Sequence, residues 1–241
     1  MPMNGTALLY TSIAAAANLL GAAAVVAHNR WSVRALENMV ALSAGFMVSV
    51  ALLDLVPDSI RVHGESAALI ILLGYLLVHL TQHTLAPHFH FGEEHHPVTK
   101  LVSFSALAGL MLHTFVDGVA IASGFGISTA LGMLVFFAIL LHKLPEGLAI
   151  SSLFLASGES RRAAFAASVA LAISTMIGAL LTQQLPILGQ YGLPIAAGVS
   201  LYVGASNLVP EFQGKREWRL PISFFIGCAL YYLARQLLGM R

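Results

Sequence analysis

Two short segments of this chain carry residues with metal chemistry. One reads HTFVDGVAIA from His113 and the other HKLPEGLAI from His142. Laid over each other, His113 falls on His142, Asp117 on Glu146, Gly118 on Gly147, Ala120 on Ala149 and Ile121 on Ile150. In each segment an imidazole precedes a carboxylate by four residues, and on a helix positions i and i+4 share a face. Two such helices face to face bring two imidazoles and two carboxylates to one point. That is a ligand set for a divalent transition metal such as Zn²⁺. A lone intramembrane His more often makes a helix–helix hydrogen bond; the doubled motif favours a shared site.

The elements that must position these residues are membrane helices. The chain is 58% hydrophobic and 10% charged, whereas a soluble domain carries about 25% charged residues. Apolar runs long enough to span a bilayer fall at about 5–27, 36–57, 66–85, 101–124, 127–155, 163–184, 192–210 and 220–238. The expected fold is an all-α polytopic membrane protein with eight transmembrane helices, forming one transmembrane domain over residues 1–241. The first run lacks a basic region before it and reads as an uncleaved span. No basic cluster suited to nucleic acid occurs. The single cysteine, Cys228, excludes an intrachain disulfide.

Loops after the first, third, fifth and seventh spans hold Arg30, Arg34, Lys100, Arg161, Arg162, Lys215, Arg216 and Arg219, against Arg61, Arg235 and Arg241 on the other side. The positive-inside rule puts the larger set in the cytoplasm and both termini outside. The loop at 86–99, APHFHFGEEHHPVT, is then cytoplasmic. Its His88, His90, His95 and His96 can bind metal loosely, or be incidental residues of a flexible loop.

The second and seventh spans repeat each other. Gly45 to Asp58 reads GFMVSVALLDLVPD, and Gly198 to Glu211 reads GVSLYVGASNLVPE. These spans run in opposite directions, the pattern of inverted repeats in secondary transporters. The layout is 3+2+3, with the two motif helices in the centre.

An ionisable group at membrane depth costs about 2.5–3.5 kcal/mol on insertion scales, so each one requires a reason. His113 and His142 both lie mid-span. Asp54, Asp58 and Glu211 are candidates for the metal's pathway or its gating; ordinary solvation of helix ends also accounts for Asp58 and Glu211. Pro145 withholds a hydrogen bond from the carbonyl of Leu141, which either shapes the site or only kinks the helix. Lys143 adjoins His142. An ammonium there repels a metal ion and needs a carboxylate partner while the site is empty, Asp117 or Glu146; otherwise it snorkels to an interface.

HTFVDGVAIA and HKLPEGLAI resemble the fourth and fifth spans of the ZIP (Zrt/Irt-like) metal transporters, prokaryotic type. The resemblance implies uptake of Zn²⁺, and in some members Fe²⁺, Mn²⁺ or Cd²⁺, towards the cytosol. It also implies a bacterial inner membrane, a homodimer in the lipid bilayer and an elevator-like movement. Many bacterial members hold two metals, and this chain departs from that pattern. Thr114, Lys143 and Thr175 stand where ligands of the second metal are common. His113, Asp117, His142 and Glu146 remain, so a single-metal site is expected. The rival readings are an intramembrane metal-dependent enzyme and a metal sensor without flux. An enzyme needs an open metal position and a separate base or cofactor site, and the chain contains no HExxH.

Overall fold

The computed structural model describes residues 5–27, 33–84, 100–210, 215 and 217–239. Among them the regular elements are all helical. Helix α1 is Gly5–Ala27. Helix α2, Val33–Val50, runs through a π-helical stretch, Ala51–Leu55, into α3, Val56–His63. Then come α4, Ser66–Thr84; α5, Lys100–Ile127; α6, Thr129–Ala156; and α7, Arg161–Gln184. Helix α8, Pro186–Leu201, continues through a second π stretch, Tyr202–Leu208, and α9 is Arg219–Leu237. Seven described helices are long and apolar enough to cross a membrane, and the apolar part of α4, Ser66–Thr81, is shorter.

The second span is longer than the expected 36–57. Helical structure persists past Pro57 to His63, so Asp58 lies inside it and pairs with Arg61 at 2.9 Å. Pro57 has no N–H to offer the carbonyl of Leu53, and a local change of register absorbs the defect. The N–H of Val56 reaches back to Ala51. Pro210 does the same to Ser206, and the N–H of Val209 bonds Gly204 at 3.2 Å. The seventh span starts earlier than the expected 192, because Pro186 sits at the first helical turn, where a missing N–H is harmless.

Helices α5 and α6 form a hairpin broken only at Ser128, whose extended backbone and hydroxyl cap α6 by accepting from the Leu131 N–H. His113 precedes Ser128 by 15 residues and His142 follows it by 14. At 1.5 Å per residue both lie about 20 Å below the turn. Between the turn and that level, Tyr10 of α1 stacks on Phe125 (5.2 Å) and meets Phe136 edge-on (4.8 Å). This aromatic cluster closes the hairpin's upper part.

Around the hairpin, α1 packs on α6 and α7, α5 on α7 and α8, α2 on α9 and α6, and α4 on α8. Glycines make the closest approaches, and these contacts occur in pairs. A Cβ on Gly21 would collide with the Leu144 carbonyl, and one on Gly178 with that of Phe115. Gly45 meets Phe224 as Gly198 meets Ile71; Gly227 meets Leu42 as Gly74 meets Ile195. Outward faces are apolar: Leu69, Leu73 and Leu80 on α4, and Phe225, Leu233 and Leu237 on α9, are more than half exposed.

Candidate metal centre

The hairpin brings His113, Asp117, His142 and Glu146 together. One ligand atom from each lies within 4.8 Å of every other, and all four side chains are buried. A tetrahedral Zn²⁺ with bonds of 2.0–2.2 Å sets its ligand atoms about 3.3 Å apart. Asp117 Oδ2 is already 3.4 Å from Nε2 of both His113 and His142, and His113 Nε2 is 3.8 Å from Glu146 Oε2.

The imidazole of His142 is oriented for this. Its Nδ1 lies 3.0 Å from the Ala138 carbonyl, which can only accept. The proton of the neutral ring therefore belongs on Nδ1, and Nε2 turns a lone pair towards the lone pairs of Asp117. A cation between them resolves that juxtaposition. His113 Nδ1, by contrast, meets no hydrogen-bond partner among the described residues.

Lys143 is fully buried and points into the site. Its Nζ stands 2.8 Å from Asp117 Oδ2 and 3.0 Å from Glu146 Oε2, the two oxygens that also face the imidazoles. Thr114 and Thr175 do not join in. Each hydroxyl donates to a carbonyl of its own helix, at Met111 and Leu171. The carbonyl that Pro145 leaves free is taken up from outside: Ser43 of α2 lies 2.9 Å from Leu141 O, while also reaching Met39 O at 2.7 Å.

Asp54 lies apart from the four. It is buried in the first π stretch, accepts from the Tyr231 hydroxyl at 2.8 Å and stands 3.2 Å from Arg235 Nε. Glu211, His88, His90, His95 and His96 lie outside the described residues. Sequence reasoning missed Asn18, whose Nδ2 donates to Glu146 Oε1 at 2.9 Å. A signal for it existed. Asn18 precedes Gly21 as Thr175 precedes Gly178, and Thr175 was already singled out.

Fold and site together define a class: a polytopic bundle of membrane-length helices enclosing a buried cluster of two imidazoles, two carboxylates and a lysine. The family model described as ZIP zinc transporter matches residues 90–233, more than half of the chain, and the chain belongs to that family. It is 29% identical over 129 residues to zinc transporter ZIP13 of Pongo abelii, covering 49% of this chain and 38% of that protein. With zinc transporter ZIP9 of Micropogonias undulatus it shares 27% over 159 residues, 60% of this chain and 51% of the relative. With zinc transporter ZIP4 of Mus musculus it shares 26% over 131 residues, 53% of this chain and 20% of the relative. The chain thus spans between a fifth and about half of the length of these relatives.

Proposed function

We propose that this chain carries divalent metal, Zn²⁺ foremost, across a lipid bilayer into the cytoplasm through one intramembrane site formed by His113, Asp117, His142 and Glu146. The observation that carries the reading is the convergence of four ligand atoms within 4.8 Å at the buried centre of a helical hairpin. The relatives named as zinc transporters support the cargo. Nitrogen and carboxylate ligands without thiolates suit a metal that must be released again; Fe²⁺, Mn²⁺ and Cd²⁺ fit the same donors less selectively. Transport rather than catalysis is the activity that such a site serves in this family.

A single metal is the reading that Lys143 supports. Its ammonium bridges the two carboxylates, the place a second cation would take. With neutral imidazoles, Asp117, Glu146 and Lys143 together carry one negative charge, which a divalent ion overcompensates by one. The paired glycine contacts support two halves related by inversion, α1 to α4 and α7 to α9, around the α5–α6 hairpin in a 3+2+3 arrangement. In two of the three pairs the displacement is the same for both partners: Gly45 and Leu42 map onto Gly198 and Ile195, and Phe224 and Gly227 back onto Ile71 and Gly74, 153 residues each time. We extend the proposal to a homodimer in a bacterial inner membrane with both termini outside. The apolar faces of α4 and α9 accommodate lipid or a second copy. Asp54, Asp58 and Glu211 then lie along the metal's path, with the 86–99 loop on the cytoplasmic side.

Uptake of radiolabelled Zn²⁺ into proteoliposomes tests the function. Wild type is expected to show saturable uptake that falls as the pH is lowered, because protons compete for the same lone pairs. His142→Ala and Glu146→Ala are expected to reduce it to background while still folding. Near-normal uptake in either variant overturns the shared site.

A further inference from the structure

Helix α1 contributes two buried polar side chains, and they behave differently. Thr11 turns back to the Ala7 carbonyl of its own helix at 2.8 Å. Asn18, wholly buried, spends its side chain on other helices. Its Nδ2 donates to Glu146 Oε1 on α6 at 2.9 Å, and its Oδ1 accepts from the Ser168 hydroxyl on α7. The orientation of the amide follows from the chemistry. A carboxylate only accepts, so the NH₂ must face Glu146, and the hydroxyl proton of Ser168 goes to Oδ1. The approach itself is built in: a Cβ on Gly147, the residue after Glu146, would collide with the Asn18 carbonyl.

We propose that Asn18 is a positioning residue of the metal site: its amide, held by Ser168, ties down Oε1 of Glu146 so that Oε2 is the oxygen presented to the metal. The inference rests on the transport reading above. Oε2 is the atom that faces His113, at 3.8 Å. Lys143 also touches both Glu146 oxygens, at 3.3 and 3.0 Å, but it is a cation and is repelled as cargo arrives. Asn18 is a neutral donor and holds Oε1 in the empty and in the loaded site alike. Without it the carboxylate is free to turn, and each metal ion must fix its ligand anew.

The test uses the full chain, with Zn²⁺ as probe, in proteoliposome uptake and in a zinc-dependent thermal shift in detergent. Removing an outer partner of a metal ligand typically costs about 10–100-fold in affinity. Asn18→Ala is expected to raise KM by about tenfold with Vmax little changed, the mark of lost binding common to ground and transition states. Ser168→Ala should move KM the same way and less. Asn18→Asp keeps the bond from Ser168, loses the donor to Glu146 and sets a second carboxylate beside it. It should bind Zn²⁺ more tightly and release it more slowly, lowering both KM and Vmax. A purely structural residue would not move KM in opposite directions in these two variants. If Asn18→Ala does not accumulate, Asn18→Asp and Ser168→Ala decide. Unchanged KM and unchanged zinc shift in the folded variants overturn the role of Asn18 while leaving the transport reading intact. A wild type that shows no uptake overturns the transport reading, and the thermal shift then still tests Asn18.

Discussion

On α6 both site residues are braced by groups outside the cluster of four. His142 is hung by Nδ1 from Ala138, Glu146 is tied to Asn18 of α1, and the Leu141 carbonyl freed by Pro145 is met by Ser43 of α2. On α5 the matching positions lack such support. His113 Nδ1 has no partner among the described residues, and Asp117 is held chiefly from α6, by Lys143 at 2.8 Å. Two segments that match in sequence therefore make unequal arms: α6 is a frame fixed in the bundle, and the α5 ligands are set against it. Apart from the contact between His113 and Asp117 themselves, the α5 arm is held from across the site, and it is the arm free to adjust when a cation binds.

The largest test of this asymmetry is Lys143→Met. It removes the cation between two buried carboxylates, and leaving buried charge uncompensated costs about 3–5 kcal/mol. The metal-free protein is expected to melt well below wild type. Zn²⁺ should restore more stability than it adds to wild type, because the site then holds two negative charges and the divalent ion neutralises them. Zinc affinity should rise and release should slow. Equal melting of the two metal-free proteins would show that Lys143 does not hold the α5 arm.

The grouping of the four ligands was legible because the spacing of His and acid, four apart and twice over, has one geometric solution in a hairpin with a tight turn. The contact of Lys143 was legible from charge alone, since a mid-span ammonium needs an anion nearby. The bracing was not. The spacing of Asn18 from Gly21 singles it out but not the group it meets, and Ser43 is one hydroxyl among many; sequence says nothing of which neighbour each will meet. The extent of the second span was obscured for a different reason. Pro57 followed by Asp58 reads as a helix end, whereas a π-helical stretch absorbs the missing N–H and lets the helix run on to His63.

A smaller effect is expected from the brace at Pro145. Ser43→Ala takes from the part-buried Leu141 carbonyl the donor that replaces the missing N–H of Pro145, a cost of about 1–3 kcal/mol. Pro145→Ala supplies an N–H in sequence, so that in its background Ser43→Ala should cost far less. A double-mutant cycle on thermal stability measures this coupling. Additive effects would mean that Ser43 does not serve the carbonyl that Pro145 releases.

The smallest effect is expected on the other arm, at Thr114, which follows His113 as Lys143 follows His142. Its hydroxyl donates to the Met111 carbonyl at 3.1 Å, and that carbonyl also accepts from Ser174 of α7 at 2.7 Å. Thr114→Val therefore removes one of two donors and leaves no acceptor stranded. The replacement is close in volume, and Thr114 is fully buried with its hydroxyl turned to a carbonyl of its own helix. Stability should change by less than about 0.5–1.5 kcal/mol, the net worth of one ordinary hydrogen bond, and KM for Zn²⁺ should stay where it is in wild type. Set beside Lys143→Met, this measures how unequal two equivalent positions have become. A KM shift in Thr114→Val as large as that in Lys143→Met would place the Thr114 hydroxyl at the metal and make the two arms alike.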